Sequence, residues 1–468
     1  MQYISTRGLA PSLGFEDVLL AGLARDGGLY LPEIWPRLTP EQIAAMAGKP
    51  FAEVAVEVIA PFVGDAIARK DLLEMTRAAY GSFGHPAVTP LVQLGPSLWV
   101  LELFHGPTLA FKDVAMQLLA RLMDHVLGKR KQRATIVGAT SGDTGGAAIE
   151  AFRGSKAVDV VILFPDGRVS DVQRRMMTTP RENNVHAVAI DGTFDDCQAL
   201  VKAMFNHHAF RDRMQLAGVN SINWARIMAQ VTYYFVAGVA LGAPHRSVSF
   251  SVPTGNFGDI FAGYVARKMG LPIDRLVIGS NANDILPRTV DSGVYEKQGV
   301  TATTSPSMDI EISSNFERYL FEAQGRDAAL IRSQMAALGQ AGRFEVKGGA
   351  ELLAKDFSAA SASEDDVKKT IRLTRERTGY TAEPHTVCGL IAAERCLASG
   401  LSPHVVLATA HPAKFPDTMQ EVLGDRPALP PRLSQLMTDD ERFDVLPNDQ
   451  AAVERFIEER TAAAGLTT

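Results

Sequence analysis

Ala134–Thr135–Ile136–Val137–Gly138–Ala139–Thr140–Ser141–Gly142–Asp143–Thr144–Gly145–Gly146 reads in three steps. A β-rich run covers 134–138, a loop of small and hydroxyl residues follows, and a helical pattern continues through 147–152. The same order of strand, glycine loop and helix recurs. Further β-rich runs lie at 98–103, 158–164, 185–190, 247–252, 275–278 and 405–408, with helical patterns between most of them. That alternation predicts an α/β protein with mostly parallel sheets. In such sheets ligands bind in the loops at the carboxyl ends of strands, so the chemistry is sought there.

The chain has 468 residues, too many for one compact core, so two or three domains are expected. Before about Pro90 the patterns are mostly helical, with examples at 40–47 and 71–80, which reads as a separate N-terminal lobe. The net charge of −6 argues against a nucleic-acid partner. No basic, then apolar, stretch of the kind that targets secretion opens the chain. The longest apolar run, 231–243, is too short to span a bilayer. Cys197, Cys388 and Cys396 are odd in number and show no metal-ligand spacing, so they read as reduced thiols of a cytoplasmic protein, with no metal. The serine-rich stretch 358–363 reads as a loop, and the acidic residues after it as a helix start.

Four further loops carry candidate chemistry. In His105–Gly106–Pro107–Thr108–Leu109–Ala110–Phe111–Lys112–Asp113, a lysine stands at the mouth of an amphipathic helix that runs to about Val126, with Gly128 as a stop signal. The positive end of the helix dipole disfavours its ammonium form, as a Schiff-base lysine requires. A lysine on a solvated helix face is the plainer reading of that stretch alone. Pro253–Thr254–Gly255–Asn256–Phe257–Gly258–Asp259 again joins a strand to a helix and suits a phosphate monoester. It lacks the glycine spacing of a dinucleotide fingerprint, and the 138–146 loop lacks the ending of a Walker A sequence. Asn220, Ser221 and Arg226 can bond phosphate oxygens, although in isolation an Asn/Ser helix cap beside an exposed arginine is the preferred reading. Thr409, at the carboxyl end of the last β-rich run, could hydrogen-bond a ring nitrogen.

Together, Pro-Thr-x-x-Phe-Lys-Asp, Thr-Ser-Gly-Asp-Thr-Gly and Gly-Asn-Phe-Gly-Asp resemble the threonine synthase family, pyridoxal-phosphate enzymes of the tryptophan-synthase-β kind (fold type II). Tyr3–Ile4–Ser5–Thr6–Arg7–Gly8, Asp26–Gly27–Gly28–Leu29–Tyr30, Ser313–Ser314–Asn315–Phe316–Glu317–Arg318 and Thr409–Ala410–His411–Pro412 resemble its longer, bacterial and fungal form. The resemblance implies an N-terminal helical lobe at 1–92, a large cofactor domain at 93–113 and 236–468, and a small α/β domain at 114–235. It implies that Lys112 carries pyridoxal 5'-phosphate covalently, that Gly255, Asn256, Phe257 and Gly258 bind its phosphate, and that Thr409 faces its ring nitrogen. Thr140, Ser141 and Thr144 would grip the substrate carboxylate, and Asn220, Ser221 and Arg226 the substrate phosphate. Arg318 and Lys414 are further candidates for reaching the substrate.

The implied reaction converts O-phospho-L-homoserine and water to L-threonine and phosphate by γ-elimination and β-addition of water, in a cytoplasmic monomer, with a dimer as the alternative. Asp143 stands where many fold relatives have Asn beside the cofactor's ring oxygen. A carboxylate there repels a phenolate unless one of them carries a proton. The competing readings are a serine/threonine dehydratase-like or cysteine-synthase-like lyase and a non-catalytic sensor of amino-acid phosphates. A kinase or nucleotide-binding protein fits poorly, for want of its motifs.

Overall fold

Val158–Pro165 is buried at every position, the mark of a strand covered on both faces at the centre of a parallel sheet. In the computed structural model, which describes residues 1–397 and 402–462, it is the middle strand of five. Their order is Asp444–Pro447, Val185–Asp191, Val158–Pro165, Ala134–Ala139 and Leu216–Ala217, and every pairing is parallel. A second sheet has six strands in the order Phe357–Ser361, Ile273–Ser280, Val248–Pro253, His404–Ala408, Leu98–Glu102 and Leu91–Gln93. Only its last pairing is antiparallel. The expected α/β architecture with mostly parallel sheets is what the chain adopts.

Four local expectations differ. The serine-rich stretch is not wholly loop, because Phe357–Ser361 pairs in parallel with Ile273–Ser280. A neighbouring strand's open hydrogen bonds outweigh the weak β-preference of Ser and Ala. The helix from Lys112 does not stop at Gly128 but runs to Arg130, with Lys131 left-handed at φ 53° as its cap. Lys129 and Arg130 complement the helix dipole there and pair with Glu16 at 2.6 and 3.0 Å.

The end of the chain leaves the larger sheet: Asp444–Pro447 pairs with Val185–Asp191, and the helix Gln450–Arg460 buries Val453, Phe456 and Ile457 against the smaller one. We therefore propose the domain division read from the sequence, with 444–460 moved to the small domain. Finally, the N-terminal lobe is helical but not separate. Its helices Phe15–Ala21, Pro40–Ala44, Phe51–Val63 and Arg69–Tyr80 accompany a three-stranded antiparallel sheet. They share one apolar core with the rest: Trp224 lies 5.9 Å from both Tyr3 and Trp35 and 5.6 Å from Phe62, ring to ring.

The apolar run 231–243 lies mostly in the buried helix Trp224–Ala240, and no helix among the described residues is long and apolar enough to cross a membrane. The three cysteines are free.

Ile457 is fully buried in the core that the terminal helix closes. Ile457→Ala is expected to lower unfolding stability by about 2–5 kcal/mol, measured by urea titration. An unchanged midpoint would show that this helix does not complete the small domain.

Candidate active site

Lys112 is the first residue of its helix and is only 9% exposed. The segment before it is fixed to the strand end at Ala408: Ala110 bridges Ala410, and the Phe111 N–H donates to the Thr409 carbonyl at 2.8 Å. Asp113 locks the approach by accepting the Thr108 N–H and hydroxyl, both at 2.7 Å. The Lys112 Nζ lies 3.1 Å from Asp143 Oδ2 and 3.3 Å from Ser307 Oγ. Burial pushes its amine below the ordinary lysine value; Asp143 opposes that shift, and Lys414 and Arg226 add to it.

Asp143 opens its helix, Asp143–Phe152, at the end of Ala134–Ala139. Its Oδ1 meets Lys414 Nζ at 2.5 Å and Gln173 Nε2 at 2.8 Å. Burial alone would raise the carboxyl pKa, but Lys112, Lys414 and the hydrogen-bond donors hold it well below the usual range. Gly142 permits this contact. At φ 142° it accepts a conformation that L side chains rarely adopt, and a Cβ there would lie 2.5 Å from Gln173. Lys414 is 1% exposed and also donates to the Thr108 carbonyl at 2.9 Å. In this arrangement it serves Asp143.

Within the same loop, Thr140 is buried and its Oγ1 accepts from the Gly142 and Gly145 amides, both at 3.0 Å. Ser141 is exposed and Thr144 partly so. The 255–258 loop is braced from behind. Ser313 Oγ donates to the Gly255 carbonyl at 2.6 Å, and the Asn315 backbone and side-chain N–H groups donate to the Asn256 carbonyl at 3.0 Å each. Phe257 is left-handed at φ 63°, and Gly258 starts the next helix. The Gly255, Asn256 and Phe257 N–H groups find no acceptor among the described residues. Unpaired amides leading into a helix are what a phosphate binds.

Arg226 is 3% exposed. It donates to the Val219 carbonyl at 3.2 Å, and its Nε has no partner among the described residues. Burial pushes its pKa down to about 10. Ser221 is partly buried and Asn220 exposed. Asn315 joins this loop to the glycine loop, donating to the Ser221 carbonyl at 3.1 Å. Thr409 is nearly buried, and its hydroxyl bonds no described residue. Arg318 is fully buried behind the site, bonded to the Tyr30 and Ile222 carbonyls at 2.9 and 2.6 Å and to Asn315. It is therefore spent on structure. Ser307 and Gln173 carried no local signal in the sequence, because Lys112, His385 and Asp143 lie far along the chain from them; Glu383 caps its own helix through His385 and Thr386, and nothing local ties that pair to Ser307.

Lys112, Lys414 and Arg226 thus converge on a region where, among the described residues, Asp143 is the one carboxylate paired with a lysine. A surplus of buried positive charge calls for anions. A buried, amine-disposed lysine together with unpaired loop amides fits an aldehyde that carries a phosphate. A family model described as pyridoxal-phosphate dependent enzyme matches residues 83–410. The fold and site therefore define a pyridoxal-phosphate-dependent enzyme of fold type II. Models for the threonine synthase N terminus and the threonine synthase C-terminal region match residues 2–80 and 386–457. Threonine synthase of Pseudomonas aeruginosa is 52% identical over 98% of both chains, and that of Saccharomyces cerevisiae 41% identical over 93% of both. The solved structure of PLP-bound threonine synthase from Brucella melitensis is 58% identical, with TM-score 0.97, covering 99% of this chain and 100% of that one. The chain belongs to the threonine synthase family, and its cofactor is pyridoxal phosphate.

A Cβ at Gly255 would lie 2.7 Å from the Ser307 carbonyl oxygen, a backbone atom that cannot swing aside. Gly255→Ala is expected to weaken cofactor retention at least about 10-fold, read from the visible absorbance left after dialysis. Full retention would show that the loop does not depend on this close approach.

Asp259, next after the loop, accepts both the Tyr233 and Tyr234 hydroxyls on Oδ1, at 2.5 and 3.0 Å, while Oδ2 has no partner among the described residues. Burial pushes its pKa up to about 7. Between about pH 4 and 7 the folded chain then binds a proton that the unfolded chain has released, so this group's contribution to stability falls as pH rises. Asp259→Asn should match the parent near pH 4 and exceed it by pH 8, on the order of 4 kcal/mol at most. Parallel denaturant curves across that range check the sign.

Proposed function

We propose that this site converts O-phospho-L-homoserine and water to L-threonine and phosphate, as a carbon–oxygen lyase acting on a phosphate. The observation that carries the reading is the nearly inaccessible Arg226, whose Nε is unpaired and which no carboxylate neutralises among the described residues. A second anion beyond the cofactor's phosphate is what such a group would serve. A lyase acting on free serine or threonine has no phosphate to offer it.

In this reading Lys112 holds the cofactor, the 255–258 amides hold its phosphate, and the Thr409 hydroxyl meets its ring nitrogen. When bound, pyridoxal phosphate supplies an electron sink for the charge left by proton removal. Burial shifts the Lys112 amine toward the neutral form that can take the substrate's α-proton. Asp143, neutralised by Lys414, stays ionised beside it. That answers the repulsion expected of a carboxylate at this position. Thr140 Oγ1 already accepts two amides, so its own proton is left to donate to the substrate carboxylate, with Ser141 and Thr144 at the same loop. Asn220, Ser221 and Arg226 bind the leaving phosphate. The guanidinium stabilises the charge that grows as the γ-carbon–oxygen bond breaks. We place the enzyme in the cytoplasm as a monomer acting on a small molecule; its free cysteines agree with a reducing compartment.

Incubating the cofactor-loaded protein with O-phospho-L-homoserine should yield threonine and inorganic phosphate in equal amounts. Phosphate accompanied by a keto acid would overturn the hydration step. Lys112→Ala should abolish turnover, and Arg226→Gln should cut kcat/KM about 10²-fold. An Arg226→Gln enzyme with parent kinetics would remove Arg226 from the phosphate site.

A further inference from the structure

Ser307 lies in the short turn Pro306–Met308, shortly before the Ser313–Arg318 motif and outside the loops read above for chemistry. Its Oγ is 3.3 Å from Lys112 Nζ and 3.3 Å from Asp143 Oδ2. The three groups form a triangle: the amine donates to the carboxylate and to the hydroxyl, and the hydroxyl donates to the carboxylate.

The turn is held from two sides. The Ser307 N–H donates to His385 Nε2 at 3.2 Å, so that nitrogen carries no proton. The proton must then sit on His385 Nδ1, which lies 2.7 Å from Glu383 Oε2. Glu383 is fully buried, and its carboxylate also accepts the His385 and Thr386 N–H groups and the Thr386 hydroxyl. The imidazole is thereby fixed in one tautomer and one orientation. On the other side Asp309 Oδ1 accepts from Asn281, Asn283 and Thr303 at 2.8, 2.9 and 2.7 Å. Satisfied buried networks of this kind specify a single geometry. Here the group they deliver is one hydroxyl beside the Lys112 nitrogen.

We propose that Ser307 is a catalytic residue whose hydroxyl, with Asp143, aims the Lys112 amine, and that His385 and Glu383 are its positioning pair. A neutral primary amine has two N–H bonds and one lone pair. With Asp143 Oδ2 and Ser307 Oγ each taking an N–H, the lone pair has a single direction left, away from both acceptors. A serine suits this task better than a second carboxylate, because it fixes the amine without stabilising the ammonium form. Losing the hydroxyl frees the amine to rotate, and misalignment of a base costs rate far more than binding.

This inference rests on Lys112 being the cofactor lysine, and the parent enzyme run in parallel separates the two ideas. If the parent makes no threonine, the proposed function fails. If the parent works and Ser307→Ala equals it, the present inference fails. Ser307→Ala is expected to lose 10- to 100-fold in kcat with KM changed less than 3-fold. It should also lose most of the induced visible circular dichroism per bound cofactor, which reports the fixed angle of the lysine linkage and needs no turnover. Ser307→Thr, which restores a hydroxyl, should recover kcat to within about 5-fold. His385→Gln, which leaves the hydroxyl in place but loosens the turn, should reproduce the dichroism loss in milder form. Should Ser307→Ala fail to fold, Ser307→Thr and His385→Gln decide: parent-like dichroism and kcat in His385→Gln, or no activity in a folded Ser307→Thr, overturns the assignment.

Discussion

The Asp143 carboxylate faces two lysines that reach it from different parts of the chain. Lys112 comes from the helix that follows the Thr108–Phe111 turn, and Lys414 from beyond the strand His404–Ala408, while Asp143 itself ends the first loop of the smaller sheet. The contact therefore ties the loop after Ala134–Ala139 in the smaller sheet to segments that follow strands of the larger one. A lone carboxylate buried here would be driven to protonate, and two lone lysines to lose their charge. Together they keep Asp143 ionised, while burial still draws the Lys112 amine toward its uncharged form. Removing one partner of such a cluster typically costs about 3–5 kcal/mol, since the remaining charge stays buried without compensation. The cluster is a framework as much as a site, and the candidate anion-binding loops stand around it.

Where backbone conformation decides the chemistry, the sequence is readable. The β-rich runs fall within about two residues of the observed strands, and the loops at 138–146 and 253–259 join strand to helix as expected, because a left-handed turn and a close approach each demand glycine. Lys112 is readable for a similar reason, since its place at a helix start is a matter of local pattern. Ser307 is not. Its partners stand 195 and 78 residues away, at Lys112 and His385, and its own neighbours spell an ordinary Ser-Pro-Ser turn. The same holds for Gln173, which is one polar residue of a helix until Gly142 leaves room for it. The strand Asp444–Pro447 is equally silent: four half-exposed residues ending in proline carry no periodicity, and only the open edge of Val185–Asp191 makes them a strand.

The N-terminal lobe gains a role from these long-range ties. Its carbonyls and side chains both meet the site's supporting residues: the Tyr30 carbonyl receives Arg318, and the Leu19 carbonyl receives the Asn223 side chain at 3.0 Å. Thr6 and Arg7 hold Glu317, the neighbour of Arg318, at 2.6 and 3.0 Å. Arg318 in turn bonds Asn315, whose amide reaches both the Asn256 carbonyl of the glycine loop and the Ser221 carbonyl of the Arg226 loop. The two candidate phosphate sites thus share one brace, and that brace is anchored in the lobe. With its donors spent on carbonyls and one amide oxygen, Arg318 adds no ion pair that would compete for a phosphate. It spends its hydrogen-bonding capacity on position. Arg226, one loop away and bonded to a single carbonyl, keeps its capacity unspent. The same residue type, buried to nearly the same degree, is structural where the backbone supplies acceptors and available where it does not. That difference in local acceptor supply distinguishes the brace from the binding group.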